Sequence, residues 1–318
     1  MPLLARVAAV LALAGHAPPQ PSAAAPPSEG YVVTADSTRL YYRVRGSGRD
    51  TVIAVHGGPG VDLESIAGDF APLERAHVVI YYDQRGTGRS TLPADTTRLG
   101  AATQVSDLDA VRRHFGIGRV ALVAHSYGPL LAATYALAHP EAVSRMVFFG
   151  GVPPRKATFE RSYGRTMNAR LDSTQRARLA DAGRRLADTA ADARQACRDY
   201  WAVALRPRLA QPDRTLGRLR SDLCTADGRA IRYGLTVTNP VVMASYGDWD
   251  LRPRLRTLAT PTLVVHGEAD AIPLAAVREW VAALPHARLL AVPQAGHFAY
   301  AEQPRLVWPA VLAFLGER

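Results

Sequence analysis

Cysteine and lysine are nearly missing from this 318-residue chain. Two cysteines, Cys197 and Cys224, are too few for a disulfide-stapled scaffold or a cysteine-rich zinc module. Lys156 is the one lysine among 38 basic residues, so the net charge of +10 is built from arginine. Such a bias reads as codon supply rather than as a phosphate-binding design. The excess is also local: 18 basic and 9 acidic residues lie between Arg155 and Arg232, which carries +9 of the +10. Solvated arginine on helix surfaces accounts for it, and nucleic acid is not an expected partner. No glycine-rich turn precedes a Lys-Ser or Lys-Thr pair, which excludes a P-loop. Gly86-Thr87-Gly88 lacks the third glycine and the helix of a dinucleotide site, and no two histidines stand at metal-ligand spacing. What is present, 48% hydrophobic and 21% charged residues, is the balance of a globular protein and not of collagen, a coiled coil or a disordered chain.

The start of the chain is set apart. Arg6 precedes an apolar run from Val7 to Leu13, followed by small residues, the layout of a secretory signal peptide. The run is too short to span a bilayer, so no stable membrane insertion is expected after processing. Cleavage after Ala24, with Ser22 two residues before it, avoids the proline that would follow a cut after Ala17. Residues 1–24 are thus read as a leader and 25–30 as a proline-rich linker, which implies a secreted or periplasmic protein. The alternative is a wrongly assigned start codon and a cytoplasmic protein.

Beyond the linker, short apolar runs alternate with helical patterns. Tyr31–Thr34 and Leu40–Val44 read as an opening hairpin. Thr51–Val55, Val78–Tyr82, Val120–Ala124, Met146–Phe149, Thr262–Val265 and Arg288–Val292 are continuous rather than alternating, as expected of strands buried on both faces of a parallel sheet. Helical patterns lie at Val105–Phe115, Leu130–Ala138, Ala275–Leu284 and Ala301–Leu315. This order gives an α/β fold with a mostly parallel central sheet flanked by helices. Its core spans 31–152 and 249–318. Residues 153–248 have few strand signals and read as a helical insertion, its longest helical run being Ser173–Leu205. Both cysteines fall in this insertion. An oxidising compartment would let them pair, although two unpaired core thiols fit the sequence as well.

The most informative segment is Ala124-His125-Ser126-Tyr127-Gly128, where a buried strand runs into a serine and a helix pattern begins at once. Small residues on either side of Ser126 fit a nucleophile elbow, a sharp turn that pushes the serine Oγ outwards. An ordinary strand-to-helix loop would also explain the pentapeptide alone. Two later strand ends add to it. Thr262–Val265 leads to Asp270, and Arg288–Val292 leads to Ala295-Gly296-His297. The chain order Ser, Asp, His is the one this elbow requires. Serine needs a base within hydrogen-bond reach, His297 is the candidate, and Asp270 would hold its tautomer. His125 is expected to pack beside the elbow, with His114 and His139 as surface or helix-end residues. A fourth part, His56-Gly57-Gly58-Pro59-Gly60, follows Thr51–Val55 directly. Its backbone N–H groups, Gly58 first, could form with the N–H of Tyr127 a hole for the oxyanion of a tetrahedral intermediate.

His56-Gly-Gly-Pro-Gly60 together with Asp83-Gln-Arg-Gly-Thr-Gly-Arg-Ser90 resembles the proline iminopeptidase (prolyl aminopeptidase) branch of the α/β-hydrolase superfamily. The resemblance covers about 31–150 and 255–318. It implies an α/β-hydrolase fold with a helical cap, Ser126 as nucleophile completed by Asp270 and His297, an oxyanion hole at Gly58 and Tyr127, and no cofactor. Asp83 and Arg85 receive no catalytic role. A serine rather than an aspartate at 126 excludes the epoxide hydrolase and dehalogenase chemistry of this fold. In the resembled branch, cap glutamates bind the substrate's ammonium group. Here the cap between Arg155 and Arg232 has one glutamate, Glu160, and eight scattered aspartates, and such an arginine-rich lid would favour an anionic or neutral acyl substrate. The expected partner is a small molecule or short peptide. Peptides with an N-terminal proline follow from the resemblance, and small esters or lactones are the alternative. A non-catalytic binding protein on the same fold is the reading from another class.

Overall fold

The computed structural model describes residues 28–317, so the expected leader and cleavage site lie outside the described residues. Eight strands form one sheet: β1 Glu29–Val33, β2 Arg39–Arg45, β3 Thr51–Val55, β4 Val78–Tyr82, β5 Val120–His125, β6 Val143–Phe149, β7 Thr262–Gly267 and β8 Ala287–Val292. Their spatial order is β1-β2-β4-β3-β5-β6-β7-β8. The pairings β1–β2 and β2–β4 are antiparallel and all others parallel. β1 starts two residues earlier than the linker boundary read from sequence. Glu29 is drawn into the sheet because its carboxylate accepts from Tyr41 Oη at 2.6 Å and from the guanidiniums of Arg43 and Arg45 at 3.2 and 3.1 Å.

The parallel strands bury both faces, as their unbroken apolar runs require. Ile53, Leu122, Ala124, Met146 and Phe148 point to one side, under the helices Ala101–His114, Gly128–Ala138 and Leu274–Ala283. Val52, Ala54, Val123, Val147 and Phe149 point to the other, against the helix Pro304–Gly316. There Phe149 meets the rings of Phe70, Tyr300 and Trp308 at centroid distances of 5.5, 5.2 and 5.8 Å. The C-terminal helical pattern is split into Ala299–Glu302 and Pro304–Gly316, because Pro304 lacks the N–H to continue the first helix and starts the second.

Between β6 and β7 the described chain is helical. The ends of this excursion are tied together: Lys156 N donates to Trp249 O at 2.9 Å and Leu251 N to Pro154 O at 2.9 Å. The run Ser173–Leu205 is two helices, Ser173–Ala187 and Ala193–Ala204, not one. Asp192 breaks it, since its carboxylate accepts from the N–H groups of Arg194 and Gln195 and so starts a new helix. The helix Gly228–Tyr233 continues through the π-turn Gly234–Thr238 into Asn239–Ser245.

Cys197 and Cys224 form a disulfide within a small cap core of Leu186, Ala193, Ala196 and Ile231. Closing a 27-residue span removes unfolded-state entropy worth roughly 3–4 kcal/mol. Reduction, or the double variant Cys197→Ala/Cys224→Ala, is expected to lower the calorimetric transition of the cap by about that amount. A transition that reductant leaves unmoved would contradict a stabilising bridge.

Candidate active site

Ser126 stands where β5 ends and the helix Gly128–Ala138 begins, with φ at +61°, in the left-handed region that non-glycine residues avoid. Two backbone hydrogen bonds hold it there, Ser126 N to Phe149 O at 2.8 Å and Val152 N to Ser126 O at 2.9 Å. The flanking small residues are sterically required. A Cβ on Gly128 would lie 2.6 Å from Val55 O and 3.2 Å from the Ala124 Cβ. The Val55 carbonyl thus requires glycine at 128, and the Ala124 Cβ crowds the same space. Gly57 is similarly constrained, for a Cβ there would sit 2.8 Å from the Ser126 Cβ.

The three residues read from sequence converge at the C-terminal rim of the sheet. His297 Nε2 is 3.0 Å from Ser126 Oγ, and His297 Nδ1 is 2.9 Å from Asp270 Oδ2. Asp270 and His297 are buried, while Ser126 is partly open. Burial pushes the Asp270 carboxyl towards protonation. The adjacent His297, the Nδ1 hydrogen bond, His266 and the Ile272 N–H (3.1 Å) outweigh it and leave its pKa below the usual aspartate value. With Asp270 ionised, Nδ1 carries the proton and Nε2 is free to accept from the serine hydroxyl. The His297 loop is fixed from both sides. His297 N donates to Arg208 O at 2.7 Å, and Glu302 accepts from Gly296 N at 2.5 Å and from Ala210 N at 2.9 Å.

His125 lies beside the elbow, its ring 4.9 Å from that of His297. Burial first, and then the neighbouring His297, hold its pKa well below the usual histidine value, so it is neutral. His114 is exposed at a helix end and His139 caps another. Neither the Gly58 nor the Tyr127 N–H meets an acceptor among the described residues. Gly58 lines the same cavity as Ser126, and Tyr127 follows Ser126 directly in the chain.

The two glycine motifs are one structure. Gln84 N donates to His56 Nε2 at 3.1 Å and Gln84 Nε2 to His56 O at 2.9 Å, while His56 Nδ1 donates to Gly57 O at 3.0 Å. Burial lowers the His56 pKa to about 4, so this link stays neutral and intact at physiological pH. Asp83 accepts from the N–H groups of Leu63 (2.9 Å) and Arg89 (2.8 Å). Arg85 is buried in ion pairs with Asp107 and Asp36, both 2.6 Å. Their roles are architectural. The cap closes on the same loop, for Asn239 Nδ2 donates to Pro59 O at 2.6 Å and Thr238 Oγ1 to Gly86 O at 2.7 Å.

Above Ser126 a cavity of about 380 Å³ separates core from cap. Phe159, Tyr163, Tyr200, Trp201 and Leu205 line its cap side, and among the described residues no carboxylate lines it. Glu160, the cap's glutamate, is exposed and faces Lys156 at 3.9 Å. Among the described residues no three His, Cys, Asp or Glu side chains converge as metal ligands, and no helix is long and apolar enough to cross a membrane.

A family model for the alpha/beta hydrolase fold matches residues 50–304. The chain belongs to the α/β-hydrolase family. A proline iminopeptidase of Lactiplantibacillus plantarum is 26% identical over 272 residues, covering 83% of this chain and 92% of the relative. The crystal structure of a proline iminopeptidase from Mycobacterium smegmatis superposes with a TM-score of 0.66 at 23% identity, over 91% of this chain and 97% of the other. That of the esterase RhEst1 from Rhodococcus sp. ECU1013 gives 0.67 at 23% identity, over 91% and 99%. These two likenesses show the fold. The family and its relatives make this proline iminopeptidase-like α/β-hydrolase a hydrolytic enzyme.

Sequence reading gives no role to Asp62, His266, Arg208 or Glu302. Asp62 had a visible signal, an acid between Val61 and Leu63 directly after the glycine turn. Burial, then the charge of Asp83, raises its pKa to about 8. Such a carboxyl stabilises the fold fully below its unfolded pKa, near 4, and loses that contribution as pH rises through 8. Asp62→Asn, which keeps the acceptor for Glu64 N at 3.0 Å, should therefore gain on wild type between pH 5 and pH 9. The relative gain in urea-unfolding free energy should be at least about 1.4 kcal/mol, a tenfold change in the folding equilibrium. Equal differences at both pH values would contradict a protonated Asp62.

Proposed function

We propose that this α/β-hydrolase cleaves an acyl bond through Ser126, His297 and Asp270. The observation that carries the reading is the unbroken hydrogen-bond chain from Asp270 through His297 to Ser126, at 2.9 and 3.0 Å, on the floor of the cavity. Ser126 Oγ attacks the acyl carbon as its proton passes to His297 Nε2, and Asp270 stabilises the imidazolium. The negative oxygen of the tetrahedral intermediate lies against the N–H groups of Gly58 and Tyr127. His297 then protonates the leaving amine or alcohol. Water, deprotonated by the same imidazole, releases the acid from Ser126. No step requires a cofactor.

Two substrate readings stand on different observations. The names of the relatives favour removal of an N-terminal proline. The cavity lining favours a small ester or lactone, because an ammonium group entering it would shed water and meet no carboxylate. We infer that acyl substrates without a positive charge are preferred. The leader pattern and the cap disulfide support export to an oxidising compartment.

Side-by-side turnover of a proline arylamide and a short-chain aryl ester tests this. Ester hydrolysis should exceed arylamide hydrolysis in kcat/KM, and Ser126→Ala should lose roughly 10⁴-fold or more in kcat with its melting temperature kept. Arylamide turnover above ester turnover would restore the peptidase reading. Wild type and Ser126→Ala that are indistinguishable in both assays would leave a binding protein on a hydrolase fold.

A further inference from the structure

Among the described residues, Arg208 is the one charged side chain in the cavity lining apart from the histidines beside Ser126. It closes the short turn Arg206–Arg208 that follows the cap helix Ala193–Ala204. Its backbone is fixed to the reacting centre, because its carbonyl accepts the His297 N–H at 2.7 Å. A Cβ on Gly296 would come within 2.1 Å of that same carbonyl, so only glycine lets the two loops meet so closely.

The side chain is held but not neutralised. Its guanidinium carbon lies 5.3 Å from the centroid of Tyr163 and 5.6 Å from that of Trp201, with the Tyr163 ring stacked in turn on Phe159. Nη2 donates to Tyr163 Oη. Nε is buried without a hydrogen-bond partner, and no acid of the described residues lies within 4 Å of the group. Neighbouring arginines solve the same problem differently. Arg206, two residues away, pairs with Asp213 at 2.6 Å, and Arg185 with Asp181 and Asp199 at 2.9 and 2.8 Å. A guanidinium in an aromatic cage with donors left over is costly unless something anionic meets it. Its planar fork matches a carboxylate bidentately.

We propose that Arg208 is an anion subsite, and that the substrate carries a free carboxylate in addition to its scissile carbonyl, on an apolar or aromatic body that fits beneath the cap. This deepens the hydrolase reading given above and rests on it for the identity of the reacting carbonyl, but the subsite itself can be tested without turnover. It makes Arg208 a specificity residue and assigns it no part in the chemical step.

Full-length Ser126→Ala is titrated with two ligands of matched shape, N-phenylglutaramic acid and N-phenylglutaramide, following tryptophan fluorescence or heat. The acid should bind at least 10-fold tighter than the amide. In Ser126→Ala/Arg208→Gln the acid should weaken at least 10-fold with amide binding kept within about twofold, and Arg208→Lys should retain part of the preference. Circular dichroism and melting of each variant report its fold, and the acid-against-amide comparison on the Arg208 parent needs no second substitution. Equal binding of acid and amide, binding of neither, or a parallel loss of both in Arg208→Gln would overturn the subsite. So would an acid preference that survives Arg208→Gln, which would put the carboxylate at the Gly58 and Tyr127 N–H groups instead. A clear acid preference in a protein that hydrolyses no ester or amide would instead sink the hydrolase reading and leave the subsite standing.

Discussion

The left-handed backbone of Ser126 is the constraint on which the rest depends. A residue with a side chain resists φ near +61°, and nothing in the side chain itself repays that strain. It persists because β5 is central in the sheet, clamped by β3 and β6, and because the backbone of β6 and the turn after it bond both sides of the serine peptide. The turn brings the hydroxyl out of the sheet, to the rim where β7 and β8 deliver Asp270 and His297. At three nearby glycines any side chain collides with something rigid. Gly128 is against Val55 O, Gly57 against Ser126 itself, and Gly267 against the Ala295 and Gly296 carbonyls.

The second feature is that core and cap are not independent layers. The glycine turn after β3, the loop after β4 and the cap's π-turn share hydrogen bonds through His56, Gln84, Thr238 and Asn239. The His297 loop is joined to the cap by Arg208 and Glu302. The site is therefore assembled where loops of the core and the cap meet, and a shift of the cap moves its walls as well as its roof. This is how one scaffold can keep its reacting groups while the cap sets which molecules reach them.

Much of this was legible in the sequence, and the reason is local. A strand buried on both faces writes a continuous apolar run, and the residue after it sits at the rim, so β3, β5, β7 and β8 each announced the residue that follows. The order Ser126, Asp270, His297 carried the rest. The cap was less legible. Its arginines are spread over several helices and the turns between them, so periodicity does not tell which arginine faces inward, and Arg208 is distinguished from Arg206 only by tertiary packing. His266 was missed although it follows the run Thr262–Val265 directly, because the strand continues to Gly267 and keeps this imidazole in the core, where it donates to Ile272 O at 2.7 Å. The break between Ala187 and Ala193 was missed because aspartate within a helical run is ambiguous until its carboxylate is seen to cap.

If strain and convergence make Ser126 nucleophilic, a single covalent mark should report it. Peptide mass spectrometry of the full chain after treatment with a fluorophosphonate should find one adduct per molecule, on the peptide that contains Ser126, and none once His297 is replaced by alanine. An unmodified Ser126, or an adduct placed on another serine, would contradict the site described for this hydrolase.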